Sequence, residues 1–258
     1  MTHFDHKQKT VVLKTLVLAV TLSIFTNGYA QTAPDNMWHG NVAVGGAATS
    51  GNSSTQTFNL NADGARATLD DKISLRALVN YGNSTVNGIK TRNAELYRVG
   101  GRYDYNVSTN VFLFGGAEFE NNRIQNIQTR YLLNGGAGYK VIRSEATTWD
   151  VFAGVGYSDT QYYRTFPPSL SGRSGAEVLL GEESTHKLGT SSVFKQRWVV
   201  YPGFGDLGVT SKLDLSLATA IVGNWTLNVA VALDYNSKPS NGFKTTNSLL
   251  SFGFGYKY

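Results

Sequence analysis

The chain has no cysteine, so neither a disulfide nor a thiolate metal site can hold it together, and its stability must come from hydrogen bonds and packing. It has 5 prolines against 28 glycines, with many Asn, Ser and Thr, a balance that suits numerous strands and turns. Histidine is scarce, and beyond residue 30 only His39 and His186 remain. Neither has a second histidine at metal-ligand spacing or a placed Ser or Asp partner, so zinc and triad chemistry find no candidates. Neither sign of charge dominates. The net charge of +5 drops to +3 when Lys7, Lys9, Lys14 and Asp5 are set aside, and no basic run stands out, which argues against a nucleic-acid partner. Past the amino end, no segment approaches the roughly 20 apolar residues of a membrane-spanning helix.

The amino end itself has the layout of a secretory signal. Lys7, Lys9 and Lys14 make a basic start, Val11 to Phe25 is mostly apolar, and Gly28-Tyr29-Ala30 ends in small residues. Residues 1–30 are therefore expected to be a cleaved signal peptide, and residues 31–258 one domain.

That domain alternates. Leu250, Phe252, Phe254, Tyr256 and Tyr258 fall on one side of the terminal segment, and Ser251, Gly253, Gly255 and Lys257 on the other. Period-two alternation is the mark of a strand with one apolar face. The same pattern recurs along the chain. Trp38, Val42 and Val44 oppose His39, Asn41 and Ala43. Phe58, Leu60 and Ala62 oppose Asn59, Asn61 and Asp63. Ile73 to Tyr81, Tyr97 to Tyr105, Val111 to Phe119, Tyr131 to Val141 and Trp149 to Tyr157 follow suit, as do Leu213 to Leu217 and Leu227 to Tyr235. Two further strands are expected near 177–183 and 192–201. The total is about twelve, each with one apolar and one polar face.

So many long apolar faces set against Arg, Asp, Glu, Asn and Gly predict inside-out burial. The expected fold is all-β: a transmembrane outer-membrane antiparallel barrel, with the apolar side toward lipid and the polar side toward a wet lumen. Closure is then obligatory, because an open sheet edge in hydrocarbon strands backbone groups at several kcal/mol each. Short connections near Asp70, Asn106, Ser144 and Gly223 read as periplasmic turns. Longer ones at 83–90, 121–128, 162–175 and 236–244 read as surface loops, whereas the connection around Gly51 is short. Gly203-Phe204-Gly205-Asp206-Leu207-Gly208 has dinucleotide-loop spacing but precedes a period-two run, so it reads as a surface turn.

The aromatic end Phe252, Phe254, Tyr256, Tyr258 resembles the terminal strand of bacterial outer-membrane barrels. That resemblance implies a signal read by the barrel-assembly machinery. Trp38-His39-Gly40, Thr49-Ser50-Gly51-Asn52-Ser53, Arg102-Tyr103-Asp104-Tyr105, Arg130 with Gly135-Gly136-Ala137-Gly138-Tyr139, and Gly181-Glu182-Glu183 resemble, in order, the salt-induced outer-membrane protein family. The resemblance implies a bacterial barrel without assigned biochemical activity and a link to osmotic induction. Asn121-Asn122 departs from it, since relatives often carry an acidic residue there.

The constellation left is the inward charge. Arg76, Arg98, Arg102, Arg130, Lys140, Lys212 and Lys257 share a face with Asp104, Glu118, Glu120, Asp150, Asp214 and Asp234. Their near balance suits an ion-pair network that fills a narrow lumen; the alternative is a ladder guiding a small charged solute. A lipid-acting enzyme would need a Ser–His pair on the outer wall, and the pattern offers none. The expectation is a non-enzymatic envelope protein in the cell outer membrane, without cofactor, metal or catalytic residues. Its expected partners are membrane lipid and, during biogenesis, the assembly machinery.

Overall fold

The computed structural model describes residues 34–49, 53–86, 89–163, 172–240 and 242–258. The expected signal peptide, 1–30, lies outside them. Twelve strands follow in order: β1 (Trp38–Thr49), β2 (Ser53–Ala67), β3 (Asp71–Val86), β4 (Ile89–Asn106), β5 (Val111–Asn122), β6 (Ile127–Arg143), β7 (Thr147–Tyr162), β8 (Gly172–Leu188), β9 (Ser192–Pro202), β10 (Val209–Val222), β11 (Trp225–Asn236) and β12 (Thr246–Lys257). Each pairs antiparallel with the next, and β12 returns to β1, so the sheet closes into a barrel. The twelve strands expected from the alternation are present, including the two in the least regular stretch.

Paired residues share a face, so the register extends each strand's inside and outside around the ring. Val44, Leu60, Val79, Tyr97 and Asn121 form one outward row from β1 to β5. Val99, Leu133, Val155, Leu180, Leu227, Leu250, Phe252 and Phe254 all stand exposed on that outside. Buried polar side chains such as Arg98, Arg102, Glu120 and Lys212 point inward.

The strands run further than the alternation indicated. Of residues 83–90, expected as a polar loop, 87 and 88 lie outside the described residues, and the others continue the β3–β4 ladder through Asn83↔Arg92, Ser84↔Thr91, Thr85↔Lys90 and Val86↔Ile89 after a bulge at Gly82/Asn83. Polar residues on both faces hid the strand here, because beyond an apolar belt neither side needs to be greasy. The β5–β6 connection shrinks in the same way to a 3-10 turn, Arg123–Gln125, capped by the Asn122 side chain. Of the expected loops at 49–53, 162–175 and 236–244, residues 50–52, 164–171 and 241 lie outside the described residues. Gly203–Gly208 is a turn between β9 and β10, closed by the Gly203 amide donating to the Gly208 carbonyl at 2.7 Å, with positive φ at Gly205 and Gly208.

The closing seam is short. Its register covers Asn41↔Lys257 to Val44↔Phe254, extended by reciprocal hydrogen bonds between Gly40 and Tyr258 at 3.1 and 3.2 Å. The Tyr258 ring lies across Gly40 and Gly64. A Cβ at either glycine would come within 2.7 Å of its hydroxyl oxygen.

Candidate functional site

The interior is unevenly filled. On β5 to β9 the inward residues Phe112, Phe114, Leu132, Phe152, Leu179, Val199 and Tyr201 form a buried apolar cluster. The lumen is thus not uniformly wet, as the sequence pattern suggested; this wall carries a conventional core. Glycine makes room for it. A Cβ at Gly138 would meet the Phe112 ring at 2.1 Å, and one at Gly181 the Phe152 ring at 2.5 Å. Arg102 sits against this cluster, its guanidinium 4.9 Å from the Phe152 centroid and 5.7 Å from those of Phe112 and Phe114. Desolvated cation–π contacts of this kind are worth about 2 kcal/mol or more.

Ion pairs cross the lumen. Arg102 reaches Asp104 at 2.7 Å on its own strand and Glu183 on β8 at 2.7 Å. Arg98 on β4 reaches Asp234 on β11 at 2.7 Å, Glu120 at 3.4 Å and Asp214 at 3.8 Å. Lys212 on β10 binds Glu118 and, at 2.6 Å, Glu120 on β5. Lys72 on β3 meets Glu183 at 3.2 Å, and Lys195 on β9 meets Asp63 on β2. The pairs β3–β8, β4–β11, β5–β10 and β2–β9 are each five strands apart in a ring of twelve, so the bonds brace nearly opposite walls.

The remaining inward charges sit as follows. Arg130 stands 3.7 Å from Glu177, and Asp150 binds Arg143. Lys140 donates to the Asn106 side chain at 2.7 Å. Arg76 faces the lumen but makes no hydrogen bond or ion pair with any described residue. Glu177, Glu183, Lys72, Asp63, Lys195, Arg197 and Arg143 belong to this interior and were not among the charges singled out from sequence. In β8 the signal is blurred, because Glu182 and Glu183 are adjacent and only register shows which one turns inward.

Glu182 turns outward, where it accepts from the Trp149 indole at 2.8 Å and from Gln196. Beside it, a Ser–His pair does stand on the outer wall, contrary to the sequence expectation: Ser184 Oγ lies 3.2 Å from His186 Nε2, and Thr147 Oγ1 lies 3.3 Å from His186 Nδ1. Two-residue spacing along one strand put them on one face. Ser184 is buried, its orienting partner is a threonine rather than a carboxylate, and the neighbouring backbone belongs to the β7–β8–β9 ladder. No free amide pair is left there to stabilise an oxyanion. His39, at the barrel's edge, contacts Asp35 at 2.7 Å. The Met37 amide and this ring lower the Asp35 carboxyl below its usual pKa.

Opposite the apolar cluster the wall is small. Ala43, Gly45, Asn61, Ser216, Ala218 and Ala230 line a cavity of about 520 Å³ that extends to His39, Lys187 and Lys257 at the end bearing Trp38 and Tyr258. A second cavity of about 250 Å³ shares Asn61, Asp63, Lys195 and Ser216 with it and reaches Arg76 and Arg197. At the other end the connections converge. Asn126 donates to Ser240 at 2.9 Å, joining the β5–β6 and β11–β12 connections from opposite sides of the ring, and Arg173 donates to the Lys238 carbonyl at 2.6 Å.

Residues 42–258 match the family described as "Protein of unknown function, DUF481". The chain belongs to that family. The inward glycines Gly138 and Gly181 and the charges Arg102, Glu118, Glu120 and Glu183 all fall within the matched span. No curated protein matches the chain. Among solved structures, the translocator domain of the autotransporter NalP from Neisseria meningitidis is similar at 10% identity and TM-score 0.42, over 97% of this chain and 96% of that one. The NanC porin is similar at 12% identity and TM-score 0.43, over 85% and 98% respectively. The CymD monoaromatic hydrocarbon channel is similar at 9% identity and TM-score 0.36, over 85% and 78%.

Proposed function

We propose that this chain is a non-enzymatic barrel of the bacterial outer membrane whose lumen is braced and largely occluded. Its role on this reading is structural support of the envelope, in keeping with the osmotic-stress link that the resemblance implies. The closed ring and the outward apolar belt support the membrane location: exposed apolar area on this scale is a liability in water and a requirement in lipid. The end with Trp38 and Tyr258 then faces the periplasm, and the end tied by Asn126 and Ser240 faces outward.

The observation that carries the reading is the set of ion pairs between nearly opposite walls, at 2.6 to 3.2 Å where Lys212 meets Glu120, Arg98 meets Asp234, and Lys72 meets Glu183. A conducting ladder needs charges free to exchange partners with a passing ion, whereas these are paired with one another. Refolding the chain from Gln31 and recording it in planar bilayers tests the proposal. Brief events or no steps are expected. Stable, ion-selective conductance that changes when Arg98, Arg102 and Arg130 are neutralised together would favour a narrow channel for small charged solutes instead.

A further inference from the structure

The charges lining the smaller cavity are equal in number, five cations and five carboxylates, but they are unevenly partnered. Glu183 is shared by three cations: Arg102 at 2.7 Å, Lys72 at 3.2 Å and Arg197 at 4.0 Å. The 4.0 Å contact is the only ion pair Arg197 makes among the described residues, and its Nε is buried without a hydrogen bond. Arg76 makes no ion pair or hydrogen bond with any of them. The acidic residues opposite these two in register turn elsewhere. Asp63, facing Arg76, turns to Lys195, and Asp214, facing Arg197, turns to Arg98. Arg197 lies near enough to act on Arg76, as do the Glu183 and Glu118 carboxylates from beyond ion-pair distance. Two residues from Arg76 on the same inward face, Ser74 Oγ is buried and has no hydrogen-bond partner. All three side chains line the one cavity of about 250 Å³.

Two guanidiniums held near each other, neither with a carboxylate closer than 4.0 Å, repel, and a guanidinium's planar fork of donors matches an oxyanion. We propose that Arg76, Arg197 and Ser74 form a binding site for a small oxyanion, phosphate or carboxylate, which enters through the wider cavity from the end bearing Trp38 and Tyr258. The volume suits an anion of a few heavy atoms with some of its water, against the ~30 Å³ that one water occupies in the liquid. The site goes beyond the structural role proposed above and does not depend on it, since a barrel sealed at its outer end can still hold an anion from the inner one.

Titration calorimetry on the refolded chain from Gln31 in micelles tests the site, with inorganic phosphate and acetate as separate probes and chloride at matched ionic strength as the control. Saturable binding of one oxyanion is expected, and which one binds identifies the class. Arg76→Gln and Arg197→Gln should each weaken binding at least tenfold, and Ser74→Ala a few-fold. Arg92→Gln, at an exposed pair with Glu95 on the barrel rim, should leave it unchanged. Heat-modifiable gel migration checks folding. Should Arg76→Gln not fold, Arg76→Lys keeps the charge but loses the fork, and a several-fold loss is still expected. Absence of saturable binding by both oxyanions, or wild-type affinity in the Arg76 and Arg197 variants, would overturn the site.

Discussion

Arg102 offers the sharpest test of how the interior is held. Its side chain and that of Asp104 are almost wholly buried, and Arg102 is the only cation paired with Asp104 among the described residues. Arg102→Ala therefore strands a buried carboxylate, whereas Glu183 keeps Lys72 and Arg197 nearby. Removing one partner of a buried pair typically costs about 3–5 kcal/mol. Loss of the stacking on Phe112, Phe114 and Phe152 is part of the same penalty. The expected cost is thus at least about 3 kcal/mol, a large share of a typical domain's net stability. Arg102→Ala combined with Asp104→Ala removes the stranded charge as well, so the double variant should fall short of the sum of the singles by about 0.5–3 kcal/mol. Urea unfolding in lipid vesicles, followed by tryptophan emission, reads both numbers. A single-variant cost under about 1 kcal/mol, or strict additivity, would refute the bracing role of this pair.

Other expectations follow from the same geometry. Asp214→Ala should cost no more than about 1 kcal/mol, because its side chain is 39% exposed and its contact with Arg98 is long at 3.8 Å, while Asp234→Ala, buried at 2.7 Å from Arg98, should cost about 3–5 kcal/mol; the same urea titrations compare them. Gly138→Val and Gly181→Val should each destabilise by about 1–3 kcal/mol through collision with Phe112 and Phe152, and a solvent-facing Gly205→Ala control separates overpacking from the strain of positive φ. Deleting Tyr258, or changing the outward Phe254→Asp, should lower the yield of heat-modifiable barrel, and undiminished yield in both variants would remove the terminal strand from its role in closure.

Much of the architecture was legible because the outer face and the lumen carry opposite chemistry on alternate residues. Val99 and Tyr103 against Arg98 and Arg102 leave one possible parity, which fixes the inward face of β4. Where that contrast fades, the reading faded with it. Asn83, Ser84, Thr85 and Lys90 are polar on both faces, so pattern alone pointed to a loop where the ladder continues. Glu182 and Glu183 are chemically alike on opposite faces, and Phe112, Phe114 and Phe152 are apolar on the polar side. In each case a cross-strand neighbour decides the environment, and sequence does not display it until strands are paired. The crossing pairs were illegible for the same reason. Arg98 and Asp234 are 136 positions apart, and only closure of the ring brings β4 to face β11.

The uneven lumen follows from where bulk falls along the chain. Inward positions on the consecutive strands β5 to β9 carry Phe112, Phe114, Leu132, Phe152, Leu179, Val199 and Tyr201. Those on β10 to β12 and, across the seam, on β1 and β2 carry Ser216, Ala218, Ala230, Ser251, Gly253, Ala43, Gly45, Asn59 and Asn61. Since neighbours in sequence are neighbours in the ring, bulk accumulates on one arc and space on the other. A barrel of twelve strands lies between the small filled ones and the wide porins, so neither a packed nor an open interior is dictated by strand number. Side-chain size then decides, and here it gives a core on one side and a vestibule on the other. Long cations reaching across the interior from β3, β9 and β10 tie nearly opposite walls together. The empty arc also contains the short β1–β12 seam, where small inward residues such as Gly45 and Gly253 let the two strands approach closely: a Cβ at Gly45 would sit 1.8 Å from the Phe252 carbonyl oxygen. Closure of the ring and emptiness of the vestibule thus draw on the same small residues, and filling the cavity from β1 or β12 would strain the seam before it blocked the lumen.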